Sequence, residues 1–188
     1  MQKENLSAAE ALEKLKKGNQ RYLSAVTNPG DISPQIRQVT CNEGQTPYAI
    51  IVTCSDSRVI PESIFMAGIG ELFVIRVAGN VIDKHQLGSI EYAAGHLGTK
   101  LVVVLGHEHC GAVGAAIQDH PNGYIKYITD EIRKAIGEEK DEFKACCLNV
   151  ERSVSVIKES LGIKEEKDGL KVCGAVYHID SGSVEFLD

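Results

Sequence analysis

Two short stretches of this chain carry side chains that can hold a metal and act beside it. Cys54, Asp56 and Arg58 follow one another at a spacing of two in Cys54-Ser-Asp-Ser-Arg58. In an extended segment that spacing sends side chains to one side. A soft ligand, a hard ligand and a carboxylate-pairing cation therefore leave together. The second stretch is His107-Glu-His-Cys110-Gly111, where His107 and Cys110 can place two ligands on a turn leading into a helix. Zinc takes Cys, His and carboxylate donors, normally four in a tetrahedron. Cys54, His107 and Cys110 supply three, and the fourth position goes to Asp56 or to water. Either stretch alone is a weak signal, since a lone Cys is most simply a small buried hydrophobe. One Zn2+ per chain is expected if the fold brings the two together.

The elements before these stretches do that. Tyr48–Thr53 and Leu101–Leu105 are continuous apolar runs, which read as strands buried on both faces. Between them lie a short helix from Pro61 to about Gly68, a strand over 72–77 and a helix over 86–96 stopped by Gly98. Strand, helix, strand, helix, strand implies a parallel sheet. With a strand order beginning 2-1-3, the first and third strands are neighbours about 4.8 Å apart, and Cys54 and His107 emerge side by side. Ligands in such sheets sit beyond the carboxyl ends of the strands. Helices over 111–117, 124–136 and 142–161 follow, then a strand over 172–179, a turn at Ser181-Gly182 and a strand over 184–187. At the other end, Ser7 and Glu10 have capping-box spacing for a helix that Gly18 would stop. Residues 19–44 read as an arm with a short helix over 34–40. The expected fold is a single α/β domain: a central, mostly parallel sheet with an antiparallel C-terminal edge strand, flanking helices and an extended N-terminal helical arm. Residues 1–44 form the helix and arm, and 45–188 the zinc-binding core.

Composition sets the outer bounds. The chain has 188 residues, 43% hydrophobic and 24% charged, with a formal net charge of −6. Such a balance suits one globular domain and argues against nucleic acid or an anionic membrane as partner. No apolar run reaches the ~18 residues of a membrane span. Met1–Lys17 is polar and of mixed charge, unlike a signal peptide, so the default placement is cytoplasmic. Six cysteines lack the density of a disulfide scaffold and read as ligands, buried thiols or reactive groups.

The remaining candidates read more blandly. His109 points to the surface or supports the site from behind. His85, His96, His120 and His178 read as surface or structural. Cys146 and Cys147 are adjacent on a helical pattern and point apart. Cys41 and Cys173 are simple thiols. Asn80 either shapes an active-site turn or merely turns the chain.

Taken together, the motifs resemble those of the β-class carbonic anhydrases over nearly the whole chain. They are Gly18-Asn-Gln-Arg21-Tyr, Cys54-Ser-Asp-Ser-Arg58, Arg76-Val-Ala-Gly-Asn80, Ser89-Ile-Glu-Tyr92, His107-Glu-His-Cys110-Gly111 and the closing Gly174-Ala-Val-Tyr-His-Ile run. The resemblance implies zinc on Cys54, His107 and Cys110, and a dyad of Asp56 and Arg58 beside it, with Asp56 the fourth ligand in a closed state. It implies reversible hydration of carbon dioxide to bicarbonate and a proton. Gln45, Phe73, Ala78 and Tyr92 resemble the substrate-pocket residues, several of them supplied by the neighbouring subunit of a dimer. Gly111 resembles the glycine beside the open metal position. A homodimer or dimer of dimers is therefore expected. Arg76-Val-Ala departs from the commoner Arg-Asn-Ala or Arg-Asn-Val, and the small Ala78 leaves room in the pocket. Some members carry an allosteric bicarbonate site that uses a Trp near the first strand; this chain has no Trp, which puts that regulation in doubt. Other readings of the same ligands are a hydrolase of carbon disulfide or carbonyl sulfide and a non-catalytic zinc-stabilised binding domain. A redox protein built on Cys146-Cys147 is a third. Two thiolates also cancel the charge of Zn2+, so a bound water is expected to be less acidic than at a three-His site, whose pKa is ~7.

Overall fold

The computed structural model describes residues 5–118, 123–162 and 169–187; His120 lies outside them. Five strands, β1 Ala49–Thr53, β2 Leu72–Arg76, β3 Leu101–His107, β4 Lys171–Tyr177 and β5 Val184–Leu187, form one sheet in the order β2-β1-β3-β4-β5. The first four run parallel, and β5 pairs antiparallel with β4. The helices among the described residues are α1 Ala8–Tyr22, α2 Pro34–Glu43, α3 Pro61–Ile64, α4 Lys84–Gly95, α5 Gly111–Gln118, α6 Ile125–Ile136 and α7 Glu142–Ser160. The order 2-1-3 and the antiparallel edge strand agree with the sequence reading.

Strand alternation divides the core. Ala49 and Ile51 of β1 join Leu101, Val103 and Leu105 of β3 on one face, against α1 and α3. Ile50 and Val52 join Val102 and Val104 on the other, against α4 and α7. Both central strands are buried on both faces, which explains their continuous apolar runs. Beyond the carboxyl ends of the strands, Val113 and Ala116 of α5, Ile132 and Ile136 of α6, and Ala145 and Cys146 of α7 form a third cluster with Cys54 and Cys110. This is the floor of the site.

The N-terminal helix has the capping box read from Ser7 and Glu10 but does not stop at Gly18. It continues to Tyr22 because Gly18 serves another purpose: a Cβ there would lie 2.1 Å from the carbonyl oxygen of Phe65. Glycine lets the helix backbone lie directly on the turn after α3. Ala11 and Leu15 are fully buried, so α1 belongs to the core of its own chain. The stretch after it is different. No residue of α2 is buried, and Val26 and Ile32 are 98% and 68% exposed. The helix read over 86–96 starts earlier, because Asp83 caps it and pairs with Gln86 in a second capping box.

Candidate metal centre

The ends of β1 and β3 are bound together: Thr53 Oγ1 donates to Leu105 O at 2.7 Å. Cys54 leaves the first end, His107 closes the second, and Cys110 follows on the turn before α5. The two sulfurs and a ring nitrogen of His107 lie within 4.8 Å of one another, and all three residues are buried. His107 Nδ1 donates to Glu108 O at 2.8 Å, which fixes the tautomer and leaves the Nε2 lone pair facing the sulfurs. Nε2 is buried and has no hydrogen-bond partner among the described residues. A buried acceptor left alone is costly. A zinc ion would satisfy it, and two thiols with one imidazole suit zinc.

The local charges act unequally on the three donors. A hydrogen bond from Cys110 draws the Cys54 thiol well below its ordinary value, and sharing that proton pushes Cys110 up. The N–H of Gly79 also donates to Cys54 Sγ, at 3.3 Å. Burial opposes charge on His107, but the Cys54 sulfur beside it and the Asp56 carboxylate outweigh this and raise its pKa.

Asp56 is turned toward its arginine. Arg58 Nε meets Oδ1 at 3.0 Å and Nη2 meets Oδ2 at 2.8 Å, and the Arg58 N–H adds a third bond to Oδ1 at 2.9 Å. The guanidinium holds the Asp56 carboxyl far below the usual carboxylate range. Oδ2 nevertheless stays 3.9 Å from His107 Nε2, at the rim of the cluster. Arg58 Nη2 also reaches His109 O at 3.2 Å, so it joins the two ligand-bearing loops. His109 has φ +53°, which turns that carbonyl toward Arg58. Its exposed ring faces Glu142 at 3.5 Å and not the metal cluster.

The comparisons with known proteins agree with this geometry. A family model described as "Carbonic anhydrase" matches residues 49–184. The chain is 36% identical over 200 residues to carbonic anhydrase 2 of Mycobacterium tuberculosis, covering 98% of this chain and 95% of that one. The chain belongs to the β-carbonic anhydrase family. It is also 35% identical to a carbonic anhydrase of Mycolicibacterium smegmatis, covering 96% of this chain and 94% of that one. Among solved structures, a tetrameric β-carbonic anhydrase of Sordaria macrospora superposes with a TM-score of 0.72 at 26% identity, covering 95% of this chain and 94% of that one. A Coccomyxa β-carbonic anhydrase in complex with acetazolamide gives 0.64 at 28% identity, covering 84% and 86%.

Within this β-carbonic anhydrase chain, the residues expected in the substrate pocket divide. Ala78 lies in a 3-10 turn, Ala78–Asn80, next to the Gly79 N–H that touches Cys54. A Cβ on Gly111 would meet nothing within 4 Å, so the space beside Cys110 is open. Phe73 and Tyr92 lie elsewhere. Their rings pair at 6.2 Å, but Phe73 is in register with Ile50, four residues before Cys54. At ~3.3 Å per residue that is roughly 13 Å along the strand. Tyr92 is 47% exposed. Gln45 is exposed in the segment before β1.

Two residues named from sequence have roles at the site that were not assigned to them there. Arg76, at the end of β2, donates to Cys54 O at 3.2 Å and to Asp56 O at 2.7 Å, and so frames the first ligand loop. Its place as the charged residue near the end of the apolar run from Leu72 was the available signal. Cys146 donates to His107 O at 3.2 Å. Burial pushes its thiol up to about 12, which keeps it a protonated donor. Cys147 is only partly buried and turned away, so the adjacent pair does not act as one group.

Proposed function

We infer that this chain is a zinc-dependent carbonic anhydrase, a lyase interconverting carbon dioxide and water with bicarbonate and a proton. The observation that carries it is the Cys54–His107–Cys110 cluster with the Asp56–Arg58 pair at its rim. Zinc, when bound, supplies Lewis-acid chemistry that makes a water-derived nucleophile available near neutral pH. The chain's own groups do the positioning. Asp56, kept ionised and aimed by Arg58, accepts a hydrogen bond from the attacking oxygen and directs its lone pair at carbon dioxide. Gln45 donates to a substrate oxygen, and Phe73, Ala78 and Tyr92 wall the pocket for a small apolar gas. If Arg58 released it, Asp56 would be near enough to Cys54, His107 and Cys110 to add a carboxylate to the donors that would hold zinc, and the site would be closed.

The pocket is assembled from two subunits of a homodimer, alone or as a dimer of dimers. In its own chain the Phe73–Tyr92 pair lies far from the metal cluster, and Val26 and Ile32 stand exposed on the arm. No described helix is long and apolar enough to cross a membrane. All six cysteines are free, the state that a reducing cytoplasm maintains.

Stopped-flow hydration of carbon dioxide with a pH indicator, run on protein of measured zinc content, tests the assignment. The zinc-loaded protein should hydrate carbon dioxide far faster than buffer, and the Cys54→Ala, Cys110→Ala double variant should bind no zinc. Fully loaded protein with only the buffer rate would refute the activity, and full zinc in the double variant would refute the site.

A further inference from the structure

Helix α7 carries three polar side chains along its buried face. Cys146, Asn149 and Ser153 are spaced by three and four residues, so they stack one turn above the next. A core-facing stripe is ordinarily apolar, and its neighbours here, Ala145, Val150 and Ile157, are fully buried. Each polar group donates to a backbone carbonyl at a strand end or turn beside the metal cluster. Cys146 takes His107 O at 3.2 Å, Asn149 takes Gly79 O at 2.8 Å, and Ser153 takes Asn80 O at 3.1 Å. The helix can lie this close because Cβ atoms on Gly106 and Gly174 would meet Val150 at 2.5 and 2.6 Å.

Gly79 is the pivot. Its backbone has φ +68° and ψ 16°, a left-handed conformation open to glycine. A Cβ there would meet Ile132 Cδ1 at 2.8 Å. Its N–H points to Cys54 Sγ, and its carbonyl, on the other side of the same α-carbon, is the group Asn149 holds. Asn80 follows at φ +45°, rarely adopted by a residue with a side chain. Its own Nδ2 is buried without a hydrogen-bond partner among the described residues. The Asn80 conformation is not comfortable for the turn by itself, and two consecutive carbonyls are tied to α7.

We propose that Asn149, supported by Ser153, is a positioning residue for the metal centre: it fixes the 79–80 peptide so that the Gly79 N–H stays aimed at the Cys54 sulfur. A hydrogen bond to a thiolate draws electron density from it and orients it. Asn149 thereby sets the donor strength of one ligand and the grip of the site on its ion, without touching either. This rests on Cys54 being a zinc ligand.

Cobalt-substituted protein and chelator competition test it. Asn149→Asp keeps the shape but presents a carboxylate oxygen to the Gly79 carbonyl in place of the N–H. In that variant the thiolate-to-cobalt charge-transfer band should move to longer wavelength, because an unbonded thiolate gives up an electron more readily. Zinc loss to a chelator should quicken by roughly 10- to 100-fold, the scale on which outer partners of ligands act. Ile157→Ala, which loosens α7 without touching the turn, should leave the band in place. If Asn149→Asp does not fold, Ser153→Ala should show the same band shift in smaller measure. An unmoved band in the folded variants, or an equal shift in Ile157→Ala, overturns the proposal. Absence of any thiolate band in the wild-type cobalt protein would instead overturn the metal-site reading.

Discussion

Arg58 grips Asp56 through two near-parallel hydrogen bonds, Nε to Oδ1 at 3.0 Å and Nη2 to Oδ2 at 2.8 Å. A planar fork meeting both carboxylate oxygens is the strongest geometry such a pair can take. The carboxylate also lies within 3.9 Å of the ligand nitrogen of His107, so it is one small rotation from a second use. Arg58→Ala should retain zinc and let Asp56 turn to it. Turnover should fall by roughly 100-fold, the cost of misplacing an aligned group by about an ångström. Zinc-edge absorption should report two sulfurs, one nitrogen and a carboxylate oxygen. Near wild-type turnover would reduce the pair to a surface ion pair.

The distance between the Phe73–Tyr92 rings and the metal cluster leads to a mixing experiment. Cys54→Ala should abolish the metal site of its own chain, and Tyr92→Ala should impair the pocket wall proposed for it. If Tyr92 serves the partner's pocket, a hybrid of the two variants contains one complete site. Dissociating and reassembling an equal mixture should then give activity above either parent. Activity no higher than the mean of the parents would place Tyr92 in its own chain's pocket or in none.

At Gly18 the space for a side chain is already filled by the Phe65 carbonyl. Alanine has the higher helix propensity by ~1 kcal/mol, so local preference alone calls for stabilisation by Gly18→Ala. The close approach dominates. The helix must shift off α3, and such overpacking costs about 1–3 kcal/mol or more. Denaturant titration should show a lower midpoint at unchanged slope. A midpoint equal to or above wild type would mean that α1 sits further from the turn.

Glu71 ties α1 to the start of β2. Burial alone would raise its pKa, but the Gly68 N–H at 2.7 Å and Lys14 Nζ at 2.7 Å prevail and lower it. Lys14 Nζ also sits 3.9 Å over the Tyr48 ring. A carboxyl with a depressed folded-state pKa contributes stability above its unfolded value of ~4.3, and the contribution fades as pH falls through the folded value. The side chain is 38% exposed, and screening limits the pair to about 1 kcal/mol or less. Glu71→Gln should therefore melt lower than wild type at pH 7 by at most about 2–4 °C. The gap should close below pH ~4. A gap that widens on acidification would contradict the sign.

The legible parts of this protein are those in which local pattern and global role coincide. The runs 49–53 and 101–105 are apolar on both faces because both faces are covered, and their ends carry the ligands. The capping box at Ser7 was visible, whereas Asp83 was passed over because the apolar period of α4 begins later than its cap. Gly18 looked like a helix stop because its real constraint, the carbonyl of Phe65, is remote in the chain. Asn149 and Ser153 drew no reading of their own, because their partners at positions 79 and 80 exist only once α7 lies on the sheet. Phe73 and Tyr92 were named through family resemblance alone, and one chain by itself leaves them apart from the metal cluster.

Thr53 and Leu105, whose hydrogen bond joins the ends of β1 and β3, are 52 residues apart in the chain, with β2 and α4 between them. A half-formed sheet offers an ion either Cys54 alone or the turn of His107 and Cys110 alone. The three donors come together only where those two strand ends are paired, so the site should form with the sheet, whereas the fold of a zinc finger waits for its ion.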